Sequence, residues 1–85
     1  MEYRYKPRGV CSRGIIFDVD DGLVKTVNFI GGCNGNTQGI ARLAEGRPVV
    51  EVIRLLEGID CGGKGTSCPD QLAKALKEAK NKSLN

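Results

Sequence analysis

Two runs rich in Ile, Val, Phe and Thr, Gly14 to Val19 and Leu23 to Ile30, flank the tripeptide Asp20-Asp21-Gly22. An Asp-Gly pair between β-prone segments is a strong hairpin signal, because both turn residues must take positive φ and these two tolerate it well. A short chain with such a hairpin in its first third is committed to an antiparallel sheet, and its other elements must cover that sheet. In the second run Leu23, Val27 and Phe29 alternate onto one face and Val24, Thr26, Asn28 and Ile30 onto the other, with Lys25 interrupting the first row. Both faces are therefore expected to be partly covered. Upstream, Tyr3-Arg4-Tyr5-Lys6 alternates aromatic and basic side chains as a short strand would, and Pro7 makes it an edge or a strand end. Arg8 to Gly14 reads as a turn-rich link carrying Cys11.

Beyond the hairpin the apolar period changes from two to 3.6. Asn36 or Thr37 is a suitable N-cap for a short helix with Ile40, Leu43 and Ala44 on its inner face, ended by Gly46. Pro48 opens a second helix with Val49, Val52, Ile53 and Leu56 on one face and Glu51, Arg54 and Glu57 on the other, and Gly58 ends it. The last helix starts at Thr66-Ser67-Cys68-Pro69-Asp70. Thr66 and Ser67 offer cap oxygens, Pro69 suits a first turn, and Asp70 three residues after Ser67 completes a capping-box-like pattern. Leu72, Ala75, Leu76 and Ala79 form its apolar stripe, and the tail is expected to fray from about Lys82. The expected fold class is α+β, a small antiparallel sheet (hairpin plus N-terminal strand) packed by about three helices, in one domain spanning residues 1–85.

A length of 85 residues allows one modest core and excludes a large enzyme with its own substrate cavity. The 40% apolar and 27% charged fractions are those of a folded globular domain. No apolar run approaches the roughly 18 residues that span a bilayer, and Met1 to Lys6 leads into no signal-peptide core, so the expected location is the cytoplasm and no membrane partner is expected. The net charge of +3 is too small to indicate nucleic acid, and only Tyr3 and Tyr5 lie near basic residues as stacking partners.

The chemistry-bearing residues are four cysteines, Cys11, Cys33, Cys61 and Cys68, all in predicted loops or at a helix start. A structural cysteine would more naturally replace an alanine in an apolar stripe. Three adjoin glycines, as in Gly31-Gly32-Cys33 and Cys61-Gly62-Gly63, an arrangement that lets backbone bend around a ligand. In a reducing cytosol such a set points to metal or redox chemistry rather than to two disulfides. With no histidine in the chain, a zinc site would be built from thiolates. The spacings of 22, 28 and 7 residues contain no C-x-x-C pair, so the residues alone leave several readings open. One is a four-thiolate metal site. Another is a redox pair in which Cys68, its thiolate favoured by the helix N-terminus, attacks and Cys61 resolves. A third is four reduced thiols with packing roles. Gly62 to Thr66, glycine-rich and followed by a helix start, adds a nucleotide or anion site as an alternative, although it lacks P-loop spacing. No Ser-His or Cys-His pair exists, so no catalytic residue is assigned.

Thr66-Ser67-Cys68-Pro69-Asp70 resembles the signature of the TSCPD-domain family. The likeness extends over nearly the whole chain: Cys11 before the hairpin, Gly31-Gly32-Cys33 after it, and Leu56-Glu57-Gly58-Ile59-Asp60-Cys61 before the signature. The chain is similar to stand-alone members and to a domain near the C-terminus of adenosylcobalamin-dependent ribonucleotide reductases. The resemblance implies a metal-binding role for Cys11, Cys33, Cys61 and Cys68, with zinc the expected metal. It also implies an accessory function beside a ribonucleotide reductase or another protein of nucleotide metabolism. Reductase catalysis itself is not implied, because the radical chemistry of those enzymes belongs to a large cobalamin-binding barrel that has no counterpart in 85 residues.

Overall fold

The computed structural model describes residues 2–10, 12–31, 34–60, 62–63 and 65–84, apart from the side chains of Asn34, Asn36 and residues 82–84. Strands β1 (Glu2–Tyr5), β2 (Ser12–Asp20) and β3 (Leu23–Gly31) precede helices α1 (Asn34–Ala44), α2 (Val49–Leu56) and α3 (Cys68–Leu84). The strands form an antiparallel sheet in the order β1-β2-β3. This is the α+β arrangement expected from the sequence. Asp21 and Gly22 make the hairpin turn with φ of 54° and 75°, the paired left-handed conformations that a two-residue hairpin needs.

Across the three strands Tyr5, Ile15 and Phe29 line up, as do Tyr3, Phe17 and Val27. Tyr3 stacks on Phe17 with ring centroids 5.4 Å apart. This row faces the helices. The alternation then breaks: Asp18 pairs with Thr26 but Val19 with Val24, which leaves Lys25 as one extra residue on β3. A bulge of this kind reverses the side-chain phase. Val24 and Val27, expected on opposite faces, are therefore both buried, at 0% and 7% exposure.

The helices complete the core with Ala41 and Ala44 from α1, Val49, Val52 and Ile53 from α2, and Leu72, Ala75, Leu76 and Ala79 from α3. Two features of α1 depart from expectation. It begins at Asn34 rather than near Asn36 or Thr37. Its inner face carries Thr37, Ala41 and Ala44, while Leu43 is 68% exposed. Small side chains let α1 lie close along β3, and a leucine on that face would hold it away. Helix α3 runs to Leu84.

The outer edge of β3 is covered by the α1–α2 link. Val24 N–H donates to the Arg47 carbonyl at 2.9 Å, Gly46 N–H to the Val24 carbonyl at 2.7 Å, and Val49 N–H to the Gly22 carbonyl at 2.9 Å. Farther along, Val27 N–H donates to a Glu45 carboxylate oxygen at 3.2 Å. No helix among the described residues is long and apolar enough to cross a membrane.

The bulge yields a test. Deleting Lys25 restores strict alternation and turns Val24 or Val27 outward, at an expected cost of about 1.5–3 kcal/mol in urea unfolding. Lys25→Ala keeps the extra residue and is expected to change stability by less than about 0.5 kcal/mol.

Candidate functional site

The start of α3 is built around a buried carboxylate. Ser67 caps the helix as expected, its Oγ accepting from Asp70 N–H at 3.1 Å. Asp70 does not reach back to complete the capping box. The residue is 3% exposed, and its carboxylate accepts from Gly58 N–H at 2.8 Å and from the Thr66 hydroxyl at 2.5 Å. Lys74 Nζ lies 3.3 Å from the same oxygen that Thr66 contacts. Burial pushes the Asp70 carboxyl upward, but the Thr66 hydroxyl, the Gly58 amide and the Lys74 ammonium together outweigh it and hold it below its ordinary 3.8.

Beside it, Gln71 is also 3% exposed. Its amide donates to Thr66 Oγ1 at 2.9 Å, and its carbonyl accepts from Arg8 N–H at 3.0 Å. One residue on, Gly9 has φ of +71° and passes so near that a Cβ there would meet Thr66 Cγ2 at 3.3 Å. Ser12 then brings its Oγ to 3.3 Å from Cys68 Sγ. Arg8 and Ser12 are thus each bonded to the Thr66 to Gln71 stretch, and Gly9 passes close to it. A second register shift, between Ser12 and Gly14, permits the Ser12 contact. Regular alternation from Gly14 and Ile16 would put Ser12 on the outer face, but the shift turns it inward, where it is 3% exposed.

The loop before α3 has its own anchor. Asp60 accepts from Gly63 N–H at 2.9 Å and from Gly65 N–H, and Gly62, Gly63 and Gly65 have φ of 60°, 80° and 81°. Such backbone suits glycine, and it folds the loop around a carboxylate.

Of the four cysteines singled out in the sequence, Cys68 is described: a free, half-buried thiol in the first turn of α3. Cys11, Cys33 and Cys61 lie outside the described residues, as does Lys64 of the glycine-rich loop. Their chain neighbours are described. Ser12 follows Cys11 and contacts Cys68; Gly31, two residues before Cys33, pairs with Ser12. Asp60 and Gly62 flank Cys61 in the loop that Gly58 ties to Asp70. Among the described residues, no three Cys, Asp or Glu side chains gather as a metal-binding group. Sequence reasoning passed over Ser12 and Gln71. Nothing local marks Ser12, whose partner lies 56 positions away, and the bond that ties Gln71 to Arg8 spans 63 positions.

The position of Asp70 sets the sign of a pH effect. A carboxyl held below its ordinary value stabilises the fold above that value, and the contribution disappears as pH falls through the folded-state pKa. Asp70→Asn is expected to cost about 2–3 kcal/mol at pH 7, the order of a charge-assisted bond lost in a buried place. The difference from the unsubstituted protein should shrink toward pH 3, as read by urea unfolding at both pH values.

No curated protein and no solved structure matches the chain. A family model does, over residues 1–80, from β1 to within a turn of the end of α3. It includes the Thr66 to Asp70 segment, in which Thr66, Ser67, Cys68 and Asp70 make the contacts described above. On that match the chain belongs to the TSCPD-domain family.

Proposed function

We propose that this domain is a zinc-binding accessory module in which Cys11, Cys33, Cys61 and Cys68 are the ligands, and that it acts beside a ribonucleotide reductase or another protein of nucleotide metabolism. The observation that carries the metal reading is the 3.3 Å contact between Ser12 and Cys68, which joins the residue after Cys11 to the helix-start thiol across 56 positions of sequence. The pairing of Ser12 with Gly31 supports it from the Cys33 side, and the Gly58–Asp70 bond from the Cys61 side. The donor chemistry fits. Thiolates are soft ligands suited to zinc, and the chain offers no imidazole. A site filled by four thiolates leaves no open coordination position, so its zinc would supply cross-linking of loops rather than Lewis-acid chemistry. The reductase connection rests on the family resemblance.

The anion-binding alternative is weakened by Asp60, whose carboxylate already engages the Gly63 and Gly65 amides that a phosphate would need. A Cys61/Cys68 redox pair makes a different prediction from ligation, and two numbers distinguish them. Elemental analysis of protein purified without chelator is expected to give about one zinc per chain, with four thiols titrating only after the metal is removed. Chelation should then lower the thermal midpoint, because metal that binds the folded state stabilises it. Two thiols missing from the count with no metal present would replace this reading with the disulfide one. Four freely reactive thiols with no metal would dismiss both.

A further inference from the structure

We infer that Ser12 is a positioning residue for the metal centre: its hydroxyl donates a hydrogen bond to the Cys68 sulfur and holds that ligand in place. The inference rests on the zinc reading above and assigns a role to a residue outside the cysteine set. Ser12 is 3% exposed, and its Oγ stands 3.3 Å from Cys68 Sγ. A thiolate has no proton to give, so with Cys68 ionised the hydroxyl is the donor. The placement depends on the register shift between Ser12 and Gly14, without which the side chain would point to the opposite face of the sheet. Bulges that re-aim one side chain recur beside functional sites.

Charge donated from sulfur into a hydrogen bond is charge withheld from an attacking electrophile. The bond also fixes the sulfur's direction, as partners in the outer shell of metal sites do. A merely structural Ser12 would affect folding but not the electronic state of the metal–sulfur bond. Cobalt(II) reports that state through its thiolate charge-transfer absorption.

The test substitutes cobalt(II) into the full chain and compares the unsubstituted protein with Ser12→Ala, Ser12→Thr and Ser12→Val. The Ala and Val variants are expected to keep the metal stoichiometry but shift the charge-transfer band to lower energy. Metal-loaded Ala and Val variants should also react roughly tenfold faster with iodoacetamide at Cys68, mapped by mass spectrometry. Thr, which keeps the hydroxyl, should stay near the original on both readouts. If Ala fails to fold, the Thr and Val pair, equal in shape and different only in the hydroxyl, carries the comparison. An unchanged band and unchanged Cys68 reactivity in every variant overturn the role of Ser12 while leaving the zinc reading intact. Absence of any thiolate charge-transfer band in the unsubstituted protein overturns both.

Discussion

The Asp70 carboxylate is the interaction on which the functional end of the molecule depends. A charge this deeply buried is costly to take out of water, and it is tolerated only where donors surround it. Here the donors come from the Gly58 amide two residues past the end of α2, the Thr66 hydroxyl in the incoming loop and Lys74 one turn along α3. The helix N-terminus adds its own positive field. Because each donor belongs to a different part of the chain, satisfying one carboxylate fixes the path of the loop that precedes α3. Gln71 extends the same network through Thr66 to Arg8, and so to the segment that leads into β2.

The five residues of the signature then have separate physical jobs. Thr66 bridges Asp70 and Gln71, and Ser67 caps the helix. Cys68 presents a thiol in the first turn, and Pro69 occupies a place where a missing N–H costs nothing. The sheet answers with two register shifts of different purpose. The one at Lys25 puts both valines of β3 into the core, and the one below Gly14 turns Ser12 toward Cys68.

What the sequence disclosed was local. The Asp21-Gly22 turn, the helix start at Ser67-Cys68 and the Leu72-Ala75-Leu76-Ala79 stripe are each specified by neighbours within a few positions, and all three stand in the structure. What it concealed was non-local. One extra residue in a strand is invisible to a period-two reading until the partner strand is known, so strict alternation separates Val24 and Val27 onto opposite faces. Helical spacing puts Leu43 inward with Ala44, whereas proximity to β3 selects Ala41 in its stead. Asp70 looked like a cap residue because its true partner, Gly58, lies 12 positions upstream across a glycine-rich loop. The fold class was therefore legible and the wiring of the site was not.

The cover over the outer edge of β3 bears on how the protein behaves in a crowd. An uncovered strand edge is a template on which another chain can polymerise. On the β3 side that template is occupied by backbone from Gly46 to Val49 and by the Glu45 carboxylate. The opposite border, β1, is only four residues long, carries charged Glu2 and Arg4, and is followed by Pro7, which cannot donate to a ladder. The hairpin is the most β-prone part of the chain and the part most hazardous if left open. It is fenced on one side by its own polypeptide and on the other by brevity and charge, a geometry that resists amyloid-type growth.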